Sequence, residues 1–170
     1  MRNVGLLLAL ALFGLAPVAA QAQSAPAVAP MPPPAPRPEY GVPVTLAQAK
    51  AIAAAAEAEA RRNGWQVVIT ILEPTGAEVL TWKMDGTQYG SIRVAEEKAR
   101  TAALFRRPSR EFGEAVKAGN QGVLSLGVIA VEGGELILID GRIAGAIGVS
   151  GASSAQDGQV ARAGAAVVVR

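Results

Sequence analysis

The sequence predicts an α+β fold: one domain with about five mostly antiparallel strands and helices packed on the sheet. Three observations carry this. The helical patterns are amphipathic and bounded by capping signals. The short β-rich runs are separated by tight turns such as Gly133-Gly134 and Asp140-Gly141, which join antiparallel neighbours. In the order α-β-β-α-α-β-β-β-α the strands are joined largely by tight turns, which points to a mostly antiparallel sheet.

Thr45-Leu46-Ala47-Gln48 reads as a capping box, a hydroxyl at the N-cap with an amide three residues on. It opens a helix to about Asn63-Gly64, with Leu46, Ala49, Ile52, Ala53, Ala56 and Ala60 on one face. Trp65 to Leu72 and Val79 to Met84 read as strands of a hairpin, turned at Glu73-Pro74-Thr75-Gly76. Ser91 is a candidate cap for a helix over Ile92 to Phe105, apolar along Ile92, Ala95, Ala99, Ala102 and Ala103. Arg93, Lys98, Arg100, Arg106 and Arg107 fall on its other face. Pro108 ends it, and Ser109 is a candidate cap for a short helix to about Ala118. Three strands are then predicted, Val123 to Val131, Glu135 to Ile139 and Ile143 to Val149, followed by a last helix ending near Val169.

Composition excludes much chemistry. The 170 residues include no His and no Cys. There is therefore no disulfide, no Cys/His zinc site, no Ser-His-Asp or Cys-His triad, and no imidazole or thiolate for haem iron. Sixteen Lys+Arg against 14 Asp+Glu give a net charge of +2, which does not suggest nucleic acid as a partner. The N-terminus reads as a secretory signal over 1–22: Arg2, an apolar run from Val4 to Ala16, and the small-x-small site Ala20-Gln21-Ala22. The run is short for a membrane span. Periplasmic or secreted export without stable membrane insertion is the expectation. Residues 23–43 read as a linker holding eight of the eleven prolines, and 44–170 as the domain. Its core draws on Ala, Val, Ile and Leu with few aromatics, which suits burial between copies of the chain.

Three motifs stand out. Gly145-Ala146-Ile147-Gly148-Val149-Ser150-Gly151 lets a strand pass close to a helix or a ligand. It is not a nucleophile elbow, because its Ser has no His to activate it. Glu111/Glu114 and Glu132/Glu135 are acid pairs of the kind chance produces, read as solvated surface. Residues 93–117 hold seven basic side chains, and Arg106-Arg107-Pro108-Ser109 could offer guanidinium forks to a carboxylate.

The strings LAQAKAIAAAAEAEA, WKMDGTQYGSIRVAEEKARTAALFRRPS and GRIAGAIGVSGASSAQDGQVARAG together resemble the GlcG/HbpS family of haem-binding and haem-degradation-associated domains. The resemblance spans Leu46 to about Val168. It implies a profilin-like α+β domain, assembly into dimers or octamers, haem as cofactor, and an extracytoplasmic protein partner. The polar residues on matching positions are Asp85, Lys98, Thr101, Arg106, Ser150, Gln156 and Asp157. This chain departs from the family at Glu73, where Asp is common, at Lys83, where Arg is common, and in a compressed stretch between Gly119 and Gly133. Without His, the resemblance implies weak haem binding, exposed at a surface or at a subunit interface. Met84, Tyr89 and Thr101 are the candidate iron contacts, with Lys98, Arg106 and Arg107 as further cofactor-binding candidates. No catalytic residue is assigned. Two alternatives stand: an oligomer whose surface is its function and which has lost haem, and an enzyme-associated protein acting on small carboxylates or haem through Asp85, Asp157 or Lys98.

Overall fold

The computed structural model describes residues 36–167. The predicted signal, residues 23–35 of the predicted linker, and the predicted end of the last helix at 168–169 lie outside the described residues. Among the described residues no helix is long and apolar enough to cross a membrane.

The elements are α1 (Leu46–Arg62), β1 (Val68–Leu72), β2 (Glu78–Lys83), α2 (Gly90–Phe105), α3 (Arg110–Lys117), a 3-10 helix (Gln121–Leu126), β3 (Gly134–Ile139), β4 (Arg142–Ser150) and α4 (Ser154–Ala165). One four-stranded sheet has the order β2-β1-β4-β3, and every neighbouring pair is antiparallel. The α+β class holds with four strands rather than five. Val123 to Val131 is the difference: its first part is the 3-10 helix, and Gly127, at φ 69°, turns the chain out of any extended path. No residue of this 3-10 helix is buried, and Leu124 and Leu126 are exposed.

Successive residues of β4 point to opposite faces of the sheet. On one face Ile147 meets α4 and α1; a Cβ on Gly164 would lie 2.7 Å from Ile147 Cδ1 and 3.1 Å from Ala56 Cβ. The alanine face of α1 (Ala49, Ala53, Ala56, Ala60) is thus buried within one chain, in the main core with Ile69, Ile71, Ile147 and Val149. It is not left for a second copy. On the other face lies α2. A Cβ on Gly148 would stand 1.9 Å from the Ala95 carbonyl oxygen, and one on Gly134 2.1 Å from that of Lys98. Glycines in the strands let the helix backbone rest directly on the sheet.

Two predicted caps do other work. Thr45 forms its capping box as expected, and Ser153 forms a second with Gln156. Ser91, however, sits inside the first turn of α2 and is buried; its Oγ accepts hydrogen bonds from Gln88 Nε2 (3.1 Å) and Ser150 Oγ (3.3 Å). The Ser109 hydroxyl makes no cap bond. It donates to the Val131 carbonyl at 2.6 Å and accepts from Gly134 N–H at 2.9 Å, tying α3 to the start of β3. Ile92, predicted to face inward, is exposed. The end of the proline-rich segment is docked: Tyr40 bridges Ile143 in parallel, and Gly41 N–H donates to the Ile143 carbonyl at 2.9 Å.

Candidate functional site

Helix α2 with its flanking residues Tyr89 and Arg106 carries four of the six sequence-predicted residues and therefore sets their spacing. At ~1.5 Å rise per residue, Tyr89 and Arg106 are separated by roughly 25 Å along its axis. The six candidates fall into three groups rather than one cleft.

At the N-terminal end, Met84 is 7% exposed and belongs to the main core. Its carbonyl accepts from the Thr87 hydroxyl at 2.8 Å, fixing the turn that leads into α2. Its thioether is spent on packing. Tyr89 is 84% exposed, and the Lys83 ammonium stands 5.5 Å from its ring centroid. Exposed Ile92 and Arg93 follow about one turn later on α2. The phenol, one apolar side chain and two cations thus share this end of the molecule.

In the middle of α2, Lys98 is a correction to the sequence reading. It does not lie on the solvated face. It follows Ala95 by three residues and precedes Ala102 by four, so the helical period already places it on the buried stripe. Its ammonium reaches round the end of β4 to Asp157 Oδ2 at 2.8 Å and the Val149 carbonyl at 3.0 Å. The two side chains are 2% and 3% exposed. Asp157 Oδ1 in turn accepts from Ala152 N–H at 3.0 Å. A Cβ on Gly133 would stand 2.8 Å from Lys98 Nζ. Close packing, rather than a hairpin, requires the Gly133-Gly134 pair: Gly133 has φ 125° and lies against the Val149 carbonyl and the Lys98 ammonium, and Gly134 lies against the Lys98 backbone carbonyl. With both members closed off, this pair joins helix to helix and offers no acid or base to a substrate. Asp85, the third residue considered for acid–base work, is exposed at the surface. Thr101 is buried, and its hydroxyl oxygen accepts from Ile129 N–H at 3.1 Å. It borders a cleft of about 190 Å³ with Glu97, Arg100, Leu104 and Leu126.

At the C-terminal end, Arg106 is in the left-handed region (φ 53°), its guanidinium 5.7 Å from the Tyr40 ring centroid. Arg107 lies over Phe112 at 4.0 Å. These two cannot clamp propionates of a porphyrin whose iron is near Tyr89. Of the cavities described, neither the one between α3 and α4 nor the one beside Trp65 and Gln66 is lined by any of the six candidates.

The acid pairs are not free chelators. Glu132 accepts from Arg162 at 2.5 Å and Glu135 from Arg110 at 2.8 Å. Burial holds the Glu135 carboxyl above the ordinary carboxylate range, against the opposing pull of Arg110 and Arg162. Among the described residues no group of three or more acidic, His or Cys side chains could hold a metal ion.

One convergence escaped the sequence reading. Gly86, Thr87 and Gln88 from the middle motif meet Gly151, Ala152 and Gln156 from the last one around a polar cavity of about 450 Å³. Both strings were visible in the sequence; their meeting depends on β1 lying between β2 and β4.

Comparison with known proteins sets this geometry in context. The family described as "Haem degrading protein HbpS-like" matches residues 44–166. Protein GlcG of Escherichia coli (strain K12) is 40% identical over 91 residues, covering 53% of this chain and 68% of GlcG. The crystal structure of a double mutant of Streptomyces reticuli HbpS aligns with a TM-score of 0.69 at 30% identity, covering 85% of this chain and all of that one (100%). A PduOC:haem complex aligns with a TM-score of 0.68 at 28% identity, covering 74% of this chain and 94% of that one.

Proposed function

The chain belongs to the HbpS-like family, and from that premise we propose that it is an exported, non-catalytic haem-binding or haem-sensing accessory protein that acts as an oligomer. Its relatives include a protein crystallised with haem, which supports the ligand class. The observation that carries the reading is the placement of Tyr89. Of the three candidate iron contacts, Met84 is in the core and the Thr101 oxygen already accepts a backbone hydrogen bond. Only the Tyr89 phenol is out in solvent.

Phenol oxygen is an established donor to haem iron, so the donor chemistry of this surface fits the group. Tyr89 would hold the iron, Ile92 would lie against the porphyrin, and Lys83 and Arg93 would pair with the propionates. Bound there, haem would supply an iron centre open to exchange or redox sensing. The chain's own residues orient and retain it; no acid–base pair is arranged beside Tyr89. Lys98, Arg106 and Arg107 are not part of this site. A surface this open is consistent with weak binding, or with a second copy completing the enclosure.

Titration of the full chain with hemin tests the reading. A saturable Soret shift at micromolar hemin is the expected result. No shift in the wild-type chain overturns it in favour of an interaction oligomer that has lost haem.

A further inference from the structure

At the far end of α2 one buried donor, Arg107 Nε, is left without a partner. The helix ends at Arg106, whose φ of 53° is the left-handed conformation usually given to Gly. That turn sets Arg107 over Phe112, its guanidinium carbon 4.0 Å from the ring centroid. Phe112 is in turn packed edge-to-face on Phe105 at 5.3 Å. Arg107 is thus held on a rigid aromatic floor rather than free in solvent.

The carboxylate it faces is already taken. Glu111 Oε2 accepts from Arg37 Nη1 at 2.8 Å, and Arg107 Nη1 stands 4.0 Å from the same oxygen, beyond hydrogen-bond range. Arg107 Nε is buried with no acceptor, alone in this among the side-chain atoms of the described residues. Buried donors are almost always satisfied. Burial and the neighbouring charge of Arg37 push the Arg107 guanidinium below its ordinary value, against the pull of Glu111. Two guanidinia share one carboxylate, and the excess is a single positive charge in a partly desolvated place.

We infer that Arg107 and Arg37 form a binding site for a small monocarboxylate. The guanidinium fork matches the two oxygens of a carboxylate. One negative charge balances the local excess, whereas a phosphate dianion would exceed it. Arg37 stands at the end of the proline-rich segment, so the site joins that segment to the α2–α3 junction. It does not depend on the haem reading, being roughly 25 Å along α2 from Tyr89.

The test follows the thermal midpoint and backbone amide NMR shifts of the full chain at constant ionic strength. The probes are acetate and benzoate, with inorganic phosphate and chloride as comparators. The expected result is a saturable rise in midpoint with either carboxylate, shifts centred on Arg107, Glu111 and Phe112, and loss of both in Arg107→Gln. Arg107→Lys, which keeps the charge without the fork, should bind about tenfold more weakly. Tyr89→Phe should respond as wild type. Responses to carboxylate no larger than those to chloride overturn the site. Phosphate binding as tightly as carboxylate overturns the ligand class. Should Arg107→Gln fail to fold, Arg37→Gln carries the same test, and carboxylate binding unchanged in that variant overturns the assignment.

Discussion

Lys98 is the residue on which the interior most depends. An ammonium and a carboxylate have been taken out of water together, and each is further bonded to backbone, Lys98 to the Val149 carbonyl and Asp157 to Ala152 N–H. Removing one partner leaves the other charged and buried. Asp157→Ala and Lys98→Met are each expected to destabilise the fold by about 3–5 kcal/mol, read as a lower urea midpoint. The double variant Lys98→Met/Asp157→Ala should lose less than the two effects added. Additive losses would show that the pair is not coupled. Arg106 is the opposite case. Its backbone is in a conformation that disfavours an L side chain by roughly 1–2 kcal/mol, and its guanidinium lies over the Tyr40 ring. Arg106→Gly should therefore raise the thermal midpoint; a fall would mean that the Tyr40 contact outweighs the strain.

At the level of elements, the packing of α2 on the sheet is set by missing side chains. Gly148→Ala places a methyl carbon 1.9 Å from the Ala95 carbonyl, which no rotamer can relieve. The expected loss is about 3 kcal/mol or more, and near-wild-type stability would contradict so close an approach. The sequence disclosed much of this architecture. The Thr45 capping box, the helical spacing of apolar residues, the β-branched runs and the Asp140-Gly141 turn locate four helices and four strands with small boundary shifts. It missed where one signal served two purposes. Val123 to Val131 is apolar enough for a strand, but Gly127 breaks it. Gly133-Gly134 resembles a turn, but it lets the chain lie against β4 and the backbone of α2. The serines at 91 and 109 have capping chemistry, yet they bond across the fold to Ser150 and Val131. Such long-range partners are not encoded in local spacing. The candidate site was legible as residue types and not as an arrangement: one helix carries Tyr89, Lys98 and Arg106, and only its rise shows that they cannot meet around one ligand.

At the level of the whole molecule, the ion-pair network linking α3, β3 and α4 gives stability a pH dependence. Glu135 has a folded-state carboxyl raised by burial above its ordinary value of 4.5, with Arg110 and Arg162 holding it partly down. The folded state therefore binds this proton more tightly than the unfolded chain. The stabilisation from that proton is complete below the ordinary value and is lost as pH rises through the raised one. Glu135→Gln should flatten the stability–pH profile across that window, as followed by urea unfolding; an unchanged slope would assign the dependence to other groups. The account as a whole turns on Tyr89 as the point where haem iron is held. Its most direct test is hemin affinity measured by absorption titration for wild type, Tyr89→Phe, Met84→Leu and Thr101→Val side by side. The account predicts that Tyr89→Phe alone loses the Soret shift. Retained wild-type affinity in Tyr89→Phe, with loss in Met84→Leu or Thr101→Val, would contradict it.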